Sequence, residues 1–305
     1  MNVLIATEKP FSAAAVAQMR GVLEEGGHTV TLLEKYKSAE ELHAAVADAN
    51  ALIVRSDIVD AAVIAAAPGL KIVVRAGAGY DNIDLKAAAD AGVVVENTPG
   101  QNANAVAELV MGMAVMAARN KYAGTTGFEL GGKRLGLQAF GAVSRHVVPK
   151  AQGFGMSVTA YDPYCTDEAI REAGVEVAPD LKALYSGNDF VSIHIPATAE
   201  TKGSIGRELI GLLPKGAVLI NTARKEVINE AELEEVLAER PDLKYYADVR
   251  PGNADVLVER FADRVFFTPK KSGAQTAEAN LNAGVAAARQ IVAFFATGCT
   301  KYKVN

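Results

Sequence analysis

Cysteine is nearly absent from this chain: two residues, Cys165 and Cys299, in 305. Such widely separated thiols supply no disulfide framework and fit a reducing compartment. Positive charge is also short. The 31 Lys and Arg against 36 Asp and Glu leave a formal net charge of -5, which argues against a broad nucleic-acid surface while leaving room for local cationic pockets. No long apolar run is present. The longest apolar helix candidate, Leu109 to Ala118, is too short to span a bilayer, so no membrane partner is expected. The N-terminal segment has no basic region ahead of its apolar residues and is interrupted by Glu8-Lys9-Pro10, which argues against a secretory signal. Short tandem repeats, low-complexity tracts and charge blocks are missing too, and no metal is expected. What is left is the expectation of a soluble, cytoplasmic protein whose 50% hydrophobic content can bury a large core, with about two domains by length.

What is there is an alternation of strands and helices. Val3 to Ile5, Thr29 to Leu33, Leu52 to Val54, Ile72 to Val74 and Val93 to Val95 are short β-branched runs separated by Ala-rich amphipathic segments such as Ala13 to Glu25 and Ala39 to Ala47. A second set begins near Arg134 and continues through Val158 to Tyr161, Phe190 to His194, Val218 to Asn221, Lys244 to Ala247 and Val265 to Phe267. Alternation of this kind predicts parallel sheets covered on both faces. Between the sets, Thr98-Pro99-Gly100 signals a turn and Ala103 to Arg119 a long helix. Thr276 to Ala296 predicts another.

The apolar strand starting at Leu135 runs into Ala139-Phe140-Gly141-Ala142-Val143-Ser144, where a dinucleotide turn would read G-x-G-x-x-G. Only the second glycine, Gly141, is present. That is the position where a Cβ would collide with a pyrophosphate, whereas Ala139 and Ser144 are slim substitutes at the other two. The helix start behind Gly141 still offers free N–H groups and a positive dipole end. Asp162 closes the next strand about 20 residues on, where a carboxylate can accept ribose hydroxyls. A strand end at Gly141 and a solvated turn at Asp162 would explain the same residues without a ligand.

Four longer stretches decide between these readings: RAGAGYDNID from Arg75, NTPGQNANAVAEL from Asn97, NDFVSIHIPATAETKG from Asn188 and LLPKGAVLINTAR from Leu212. Together they resemble the D-isomer-specific 2-hydroxyacid dehydrogenases over nearly the whole chain, most closely the branch acting on D-3-phosphoglycerate. The resemblance implies an α/β protein of two doubly wound parallel-sheet domains, with the active site in the cleft between them. Residues 1-100 and 277-305 would form a flavodoxin-like substrate domain, and 101-276 a Rossmann-type NAD domain. For NAD it implies Phe140, Gly141, Ala142 and Val143 at the pyrophosphate, Asp162 and Pro163 at the adenosine ribose, Ile195 and Pro196 at the adenine wall, Thr222, Ala223 and Arg224 around the nicotinamide, and Asp248 at its carboxamide. For substrate it implies Arg55, Ser56, the backbone of Ala78 and Gly79, Asn102, and Arg224, whose planar fork would hold a carboxylate as lysine could not. No length remains for the C-terminal regulatory domain of longer relatives, so feedback through one is not expected.

The departures concern the acid-base group. Where the family carries histidine after Thr-Pro, this chain reads FTPKKSGAQTAEAN, with Lys270 and Lys271. The partner glutamate is missing too, since Asp248-Val249-Arg250-Pro251 puts proline in its place. None of His28, His43, His146 or His194 obviously substitutes; His194 closes a strand, and the others are expected on strand or helix faces. Losing both groups together is coherent, because a carboxylate that stabilises an imidazolium would only tighten lysine's hold on its proton, whereas Arg224, and Arg250 if near, would loosen it. The pattern resembles a short-form subset of the family with lysine in place of histidine. Counting from Thr268-Pro269 selects Lys270 as the catalytic group; counting back from Gly273-Ala274 selects Lys271. A solvated lysine pair is the bland alternative.

A substrate with carboxylate and phosphate ends would need a cationic cluster, which Arg55, Arg75, Arg224, Lys270 and Lys271 could supply. Hydroxypyruvate or glyoxylate reduction would need only the carboxylate site, and a catalytically dead NAD-responsive binding protein would need neither. LVMGMAVMAA, from Leu109, fits buried core, but the resemblance implies a dimer interface for this stretch, so a homodimer is expected.

Overall fold

Short, almost wholly apolar runs make strands buried on both faces, and the computed structural model, which describes residues 1 to 305, organises them into two all-parallel sheets. The chain divides into two units: Met1–Asn102 with Gln275–Asn305, and Ala103–Ala274. Both crossings fall two residues from the boundaries expected at 100 and 277.

The first unit runs β1 (Asn2–Thr7), α1 (Ala13–Glu25), β2 (Thr29–Glu34), α2 (Ala39–Val46), β3 (Ala51–Val54), α3 (Ala61–Ala65), β4 (Ile72–Arg75), α4 (Leu85–Asp90) and β5 (Val94–Asn97). Its sheet order is β2-β1-β3-β4-β5. The central strand β3, ALIV, is buried at every residue, as a strand covered on both faces must be. Each fully buried Val, Leu or Ile contributes roughly 1.5–3 kcal/mol relative to exposure. Ser12, Ser38, Asp60 and Asp84 cap the four helices by accepting first-turn N–H groups, which is why each helix starts where it does.

The second unit opens with α5 (Ala103–Ala118) and continues β6 (Arg134–Gln138), α6 (Ala142–Gly153), β7 (Ser157–Tyr161), α7 (Asp167–Arg171), β8 (Glu176–Val177), α8 (Leu181–Gly187), β9 (Phe190–Ile193), α9 (Arg207–Ile210), β10 (Val218–Asn221), α10 (Glu230–Glu239), β11 (Lys244–Ala247), α11 (Ala254–Phe261) and β12 (Val265–Phe267). The order is β12-β11-β10-β9-β6-β7-β8. Successive strands step one way from β6 to β8 and the other way from β9 to β12, so the topological switch lies between β6 and β9, where ligands of open α/β sheets bind. The two-residue strand β8 is too short to carry a period and has no signal in the sequence.

Most of the apolar run of α5 is spent inside this unit: Val110, Met111, Met113, Ala114 and Ala117 are buried in one cluster with Leu135, Leu137 and Phe140. The last helix, α12 (Ala277–Thr297), belongs to the first unit. Thr276 caps its start and a left-handed Gly298 ends it; it packs on α1 and over β3 and β4. No helix is long and apolar enough to cross a membrane, and both cysteines are free thiols.

Candidate active site

In the second unit every residue expected near the cofactor follows the carboxyl end of a strand. Phe140 to Val143 leave β6, Asp162 and Pro163 leave β7, Ile195 and Pro196 leave β9, Thr222 to Arg224 leave β10, Asp248 leaves β11 and Lys270 leaves β12. Parallel strands put all these exits on one edge of the sheet.

The turn after β6 is built differently from the slimness expected of it. Ala139 takes a positive φ of 84°, a conformation glycine adopts freely and alanine only with strain, so the first position demands backbone freedom and not merely a small side chain. Ser144 is buried and its hydroxyl donates to the Ala139 carbonyl at 2.7 Å, a bond that glycine could not make and that steadies the strained residue. Gly141 has an ordinary extended backbone and nothing within 4 Å of where a Cβ would stand. The protein itself does not need glycine there, so the open space is available to a ligand. As the N-cap of α6, Gly141 offers no side-chain hydrogen bond, leaving the first-turn N–H groups of Ala142, Val143 and Ser144 without an intrahelical partner.

Asp162 closes this turn. One carboxylate oxygen accepts the Phe140 N–H at 2.7 Å and the other the Tyr164 N–H at 2.8 Å. The Phe140 N–H is thus committed to Asp162 and its ring is buried in the core, with the Arg145 guanidinium over it at 4.6 Å. What stays open at this turn is the space over Gly141 and the first-turn N–H groups behind it. Ile195 is half-buried against the core, and Pro163 and Pro196 are exposed.

Thr222 is buried with its hydroxyl unpartnered. Its turn is folded by Asn221, whose amide oxygen accepts the Ala223 N–H at 2.9 Å and whose amide nitrogen donates to the Arg224 carbonyl at 2.9 Å. Asn221 is visible in the sequence only as the last residue of a strand. His194 follows β9 with a buried, unpartnered Nε2, and burial pushes its pKa down to about 4. The ring is neutral at physiological pH. His43 and His146 lie on α2 and α6 as expected, whereas His28 lies in the connection before β2.

Asp248 is 1% exposed, and both its oxygens are engaged. One accepts from the Thr268 hydroxyl at 2.9 Å and the Ser272 N–H at 2.7 Å, the other from the Gly273 N–H at 2.8 Å. The carboxylate expected at a carboxamide is the knot that ties down the segment carrying Lys270 and Lys271. Both lysines are exposed in this segment, and the Ser272 hydroxyl donates to the Lys270 carbonyl at 2.7 Å. Arg224 and Lys270 follow strands two places apart in the sheet, a spacing of roughly 10 Å between strand axes. Arg250, in the connection before α11, pairs with Asp255 on that helix.

In the first unit the expected substrate residues again follow strand ends, with Arg55 and Ser56 after β3, Ala78 and Gly79 after β4, and Asn102 beyond β5. The Arg55 guanidinium is more committed than expected. It donates to the carbonyls of Lys9 at 2.9 Å and Pro10 at 3.2 Å and to the Asn280 side chain at 2.6 Å, and lies 5.1 Å from the Phe11 ring centre. Asp57, a residue that sequence reasoning passes over, is buried beneath it and accepts from the N–H groups of Arg55 and Glu8 and from the Tyr36 hydroxyl. Arg75 donates to the Arg55 carbonyl at 2.8 Å and lies across Gly77, where a Cβ would meet the guanidinium at 1.4 Å. The Ala78 carbonyl accepts from the Asn97 side chain at 2.6 Å. Ser56 is exposed, and Ala78, Gly79 and Asn102 are half-buried.

The arrangement suits a dinucleotide: free helix N–H groups, open space over Gly141, a carboxylate at the next strand end and orphaned polar atoms on Thr222 and His194 all lie along one sheet edge. Residues 10–305 match the family model described as D-isomer specific 2-hydroxyacid dehydrogenase, catalytic domain. The chain belongs to the D-isomer specific 2-hydroxyacid dehydrogenases. Among curated relatives, the D-3-phosphoglycerate dehydrogenase of Methanocaldococcus jannaschii is 38% identical over 288 residues, covering 88% of this chain and 54% of that one. The chain thus spans about half the length of that relative. The hydroxypyruvate reductase of Thermotoga maritima is 37% identical over 268 residues, covering 81% of this chain and 85% of its own length. The NAD+-bound 3-phosphoglycerate dehydrogenase of Entamoeba histolytica superposes over 100% of this chain and 98% of its own, at TM-score 0.91 and 45% identity.

Proposed function

We propose that this chain is an NAD-dependent oxidoreductase that interconverts D-3-phosphoglycerate and 3-phosphohydroxypyruvate, the first step of serine biosynthesis. The observation that carries the reading is its end-to-end likeness, at 45% identity, to the NAD+-bound Entamoeba histolytica enzyme. In this proposal the second unit is the cofactor domain. Gly141, Ala142 and Val143 hold the pyrophosphate, Asp162 accepts a ribose hydroxyl on the lone pairs its two backbone donors leave free, Pro163, Ile195 and Pro196 flank the adenosine, and Thr222 and Ala223 line the nicotinamide end. NAD supplies or accepts the hydride when bound. Arg224 orients the substrate carboxylate by a two-pronged pairing, and Lys270 gives a proton to the carbonyl oxygen as it becomes an alkoxide. Asp248 acts as a positioning residue, fixing the segment from Thr268 to Gly273. The first unit is the substrate domain, with Arg55, Ser56, Ala78, Gly79 and Asn102 as its contributions. A homodimer is proposed as the solution state, on the family pattern alone.

Hydroxypyruvate reduction is a second reading, favoured by the Thermotoga maritima relative, most of whose length this chain covers. NADH oxidation followed in parallel with 3-phosphohydroxypyruvate, hydroxypyruvate and glyoxylate separates the two. The proposal expects a higher kcat/KM for the phosphate ester than for either other acid. Equal or better turnover of hydroxypyruvate selects the second reading, and NADH binding without any turnover selects a binding protein.

A further inference from the structure

Within the first unit a cleft of about 460 Å³ opens between the exit of β5, the side of α12 and the C-terminal tail. That volume lies in the range of small-molecule sites. Its inner wall is polar and deeply buried: Glu96 and Thr98 are 1% exposed and Gln290 is 9% exposed. The Thr98 hydroxyl and the Gln290 side-chain oxygen have no hydrogen-bond partner, which costs stability unless a ligand or water supplies one. Glu96 accepts one bond, from the Tyr302 N–H at 3.3 Å, and burial pushes its carboxyl up. Leu281, Val285 and Ala286 form an aliphatic wall, and the exposed Arg289 guanidinium stands among the outer lining residues.

We infer that this cleft is a binding site for a short amino-carboxylate, its ammonium among Thr98, Gln290 and Glu96 and its carboxylate on Arg289. The inner end presents a carbonyl oxygen, a hydroxyl and a carboxyl, an acceptor-rich set that calls for a compact group with several donors. An ammonium supplies three. A polyol would meet the inner wall but leave Arg289 unused, and a dicarboxylate would bring its charge against Glu96. The site also has a route to the loop after β4. The Gln290 amide nitrogen donates to the Asn97 carbonyl at 3.0 Å, and the Asn97 side chain holds the Ala78 carbonyl at 2.6 Å. An occupant that engages Gln290 is therefore two hydrogen bonds from that loop. The inference rests on the first unit by itself and not on the reaction proposed above.

Calorimetric titration of the full chain with glycine and L-alanine tests it, with methylammonium and acetate as single-ended controls. Both amino acids should bind, and each control should bind at least about tenfold more weakly, because it engages only one end of the site. Thr98→Val removes a hydroxyl that bonds nothing in the protein, and Arg289→Ala removes an exposed side chain, so both variants should fold. Each should weaken glycine binding about tenfold or more and leave NADH binding unchanged. Absence of binding by both amino acids overturns the site, as does binding that neither variant weakens. Controls that bind as tightly as glycine overturn the ligand class.

Discussion

The Asp248 carboxylate and the Gly273 N–H stand 2.8 Å apart across the loop that carries the two lysines. With Thr268 and Ser272 also donating to that carboxylate, three hydrogen bonds to one buried side chain tie the loop down. Asp248→Asn puts an amide donor where an N–H already points. The variant should lose about 2 kcal/mol of stability and most of its kcat, with NADH affinity little changed. Thermal unfolding and NADH titration check this; weakened NADH binding at unaltered stability would instead make Asp248 a direct cofactor contact.

The turn after β6 gives two opposite expectations. Gly141→Val should fold normally, since nothing lies within 4 Å of the new Cβ, yet should abolish NADH binding by filling the space a pyrophosphate needs. Ala139→Gly should relieve the positive φ and raise stability by up to about 1 kcal/mol, the strain released less the entropy of a freer unfolded chain. Circular dichroism melts and NADH fluorescence separate the two effects.

Lys270→Met keeps much of the stem and removes the proton, and should lower kcat by about 10² to 10⁴ with NADH binding nearly preserved. Lys271→Met should do much less. Both residues are exposed on the same short segment, so a general loosening of the loop would affect them alike. Near-full turnover in Lys270→Met would move the role to Lys271, water or another group.

Burial holds His194 near pKa 4 against a usual 6.5, and the sign of its effect on stability follows from linkage. Above pH 6.5 the ring is neutral in both folded and unfolded chains and contributes nothing. As pH falls from 6.5 towards 4, the unfolded chain takes up the proton first and the folded state loses ground, about 2 kcal/mol by pH 5. His28, also lowered by burial, adds to the same trend. His194→Gln should therefore lose less stability between pH 7 and pH 5 than the parent chain, as measured by urea unfolding at both pH values. An identical loss would mean that the ring is protonated as readily folded as unfolded.

The two parallel sheets and the family are written in the order of short apolar runs, helix signals and four motif-bearing stretches, because period and turn chemistry are local properties. Strand ends are legible for the same reason, and with them the residues that a parallel sheet collects on one edge. What side chains do on arriving there is not legible. Phe140 reads as a pyrophosphate contact in the sequence, yet its N–H is held by Asp162. Arg55 reads as a free anion receptor, yet its guanidinium is spent on Lys9, Pro10 and Asn280.

By itself the sequence determined the strand-helix alternation, the turn with a single glycine, and the two lysines that follow Thr268-Pro269. Only the tertiary structure decided that Ala139 must bear a left-handed backbone, that Ser144 steadies it, that Asp248 ties the lysine loop, and that Thr98 and Gln290, each with a buried, unpartnered oxygen, line one cleft. The reason is physical: periodicity and turn preference act over a few residues, whereas a hydrogen bond between residues 97 and 290 exists only once the sheet has brought distant segments together, and its geometry is set by packing that no local pattern encodes.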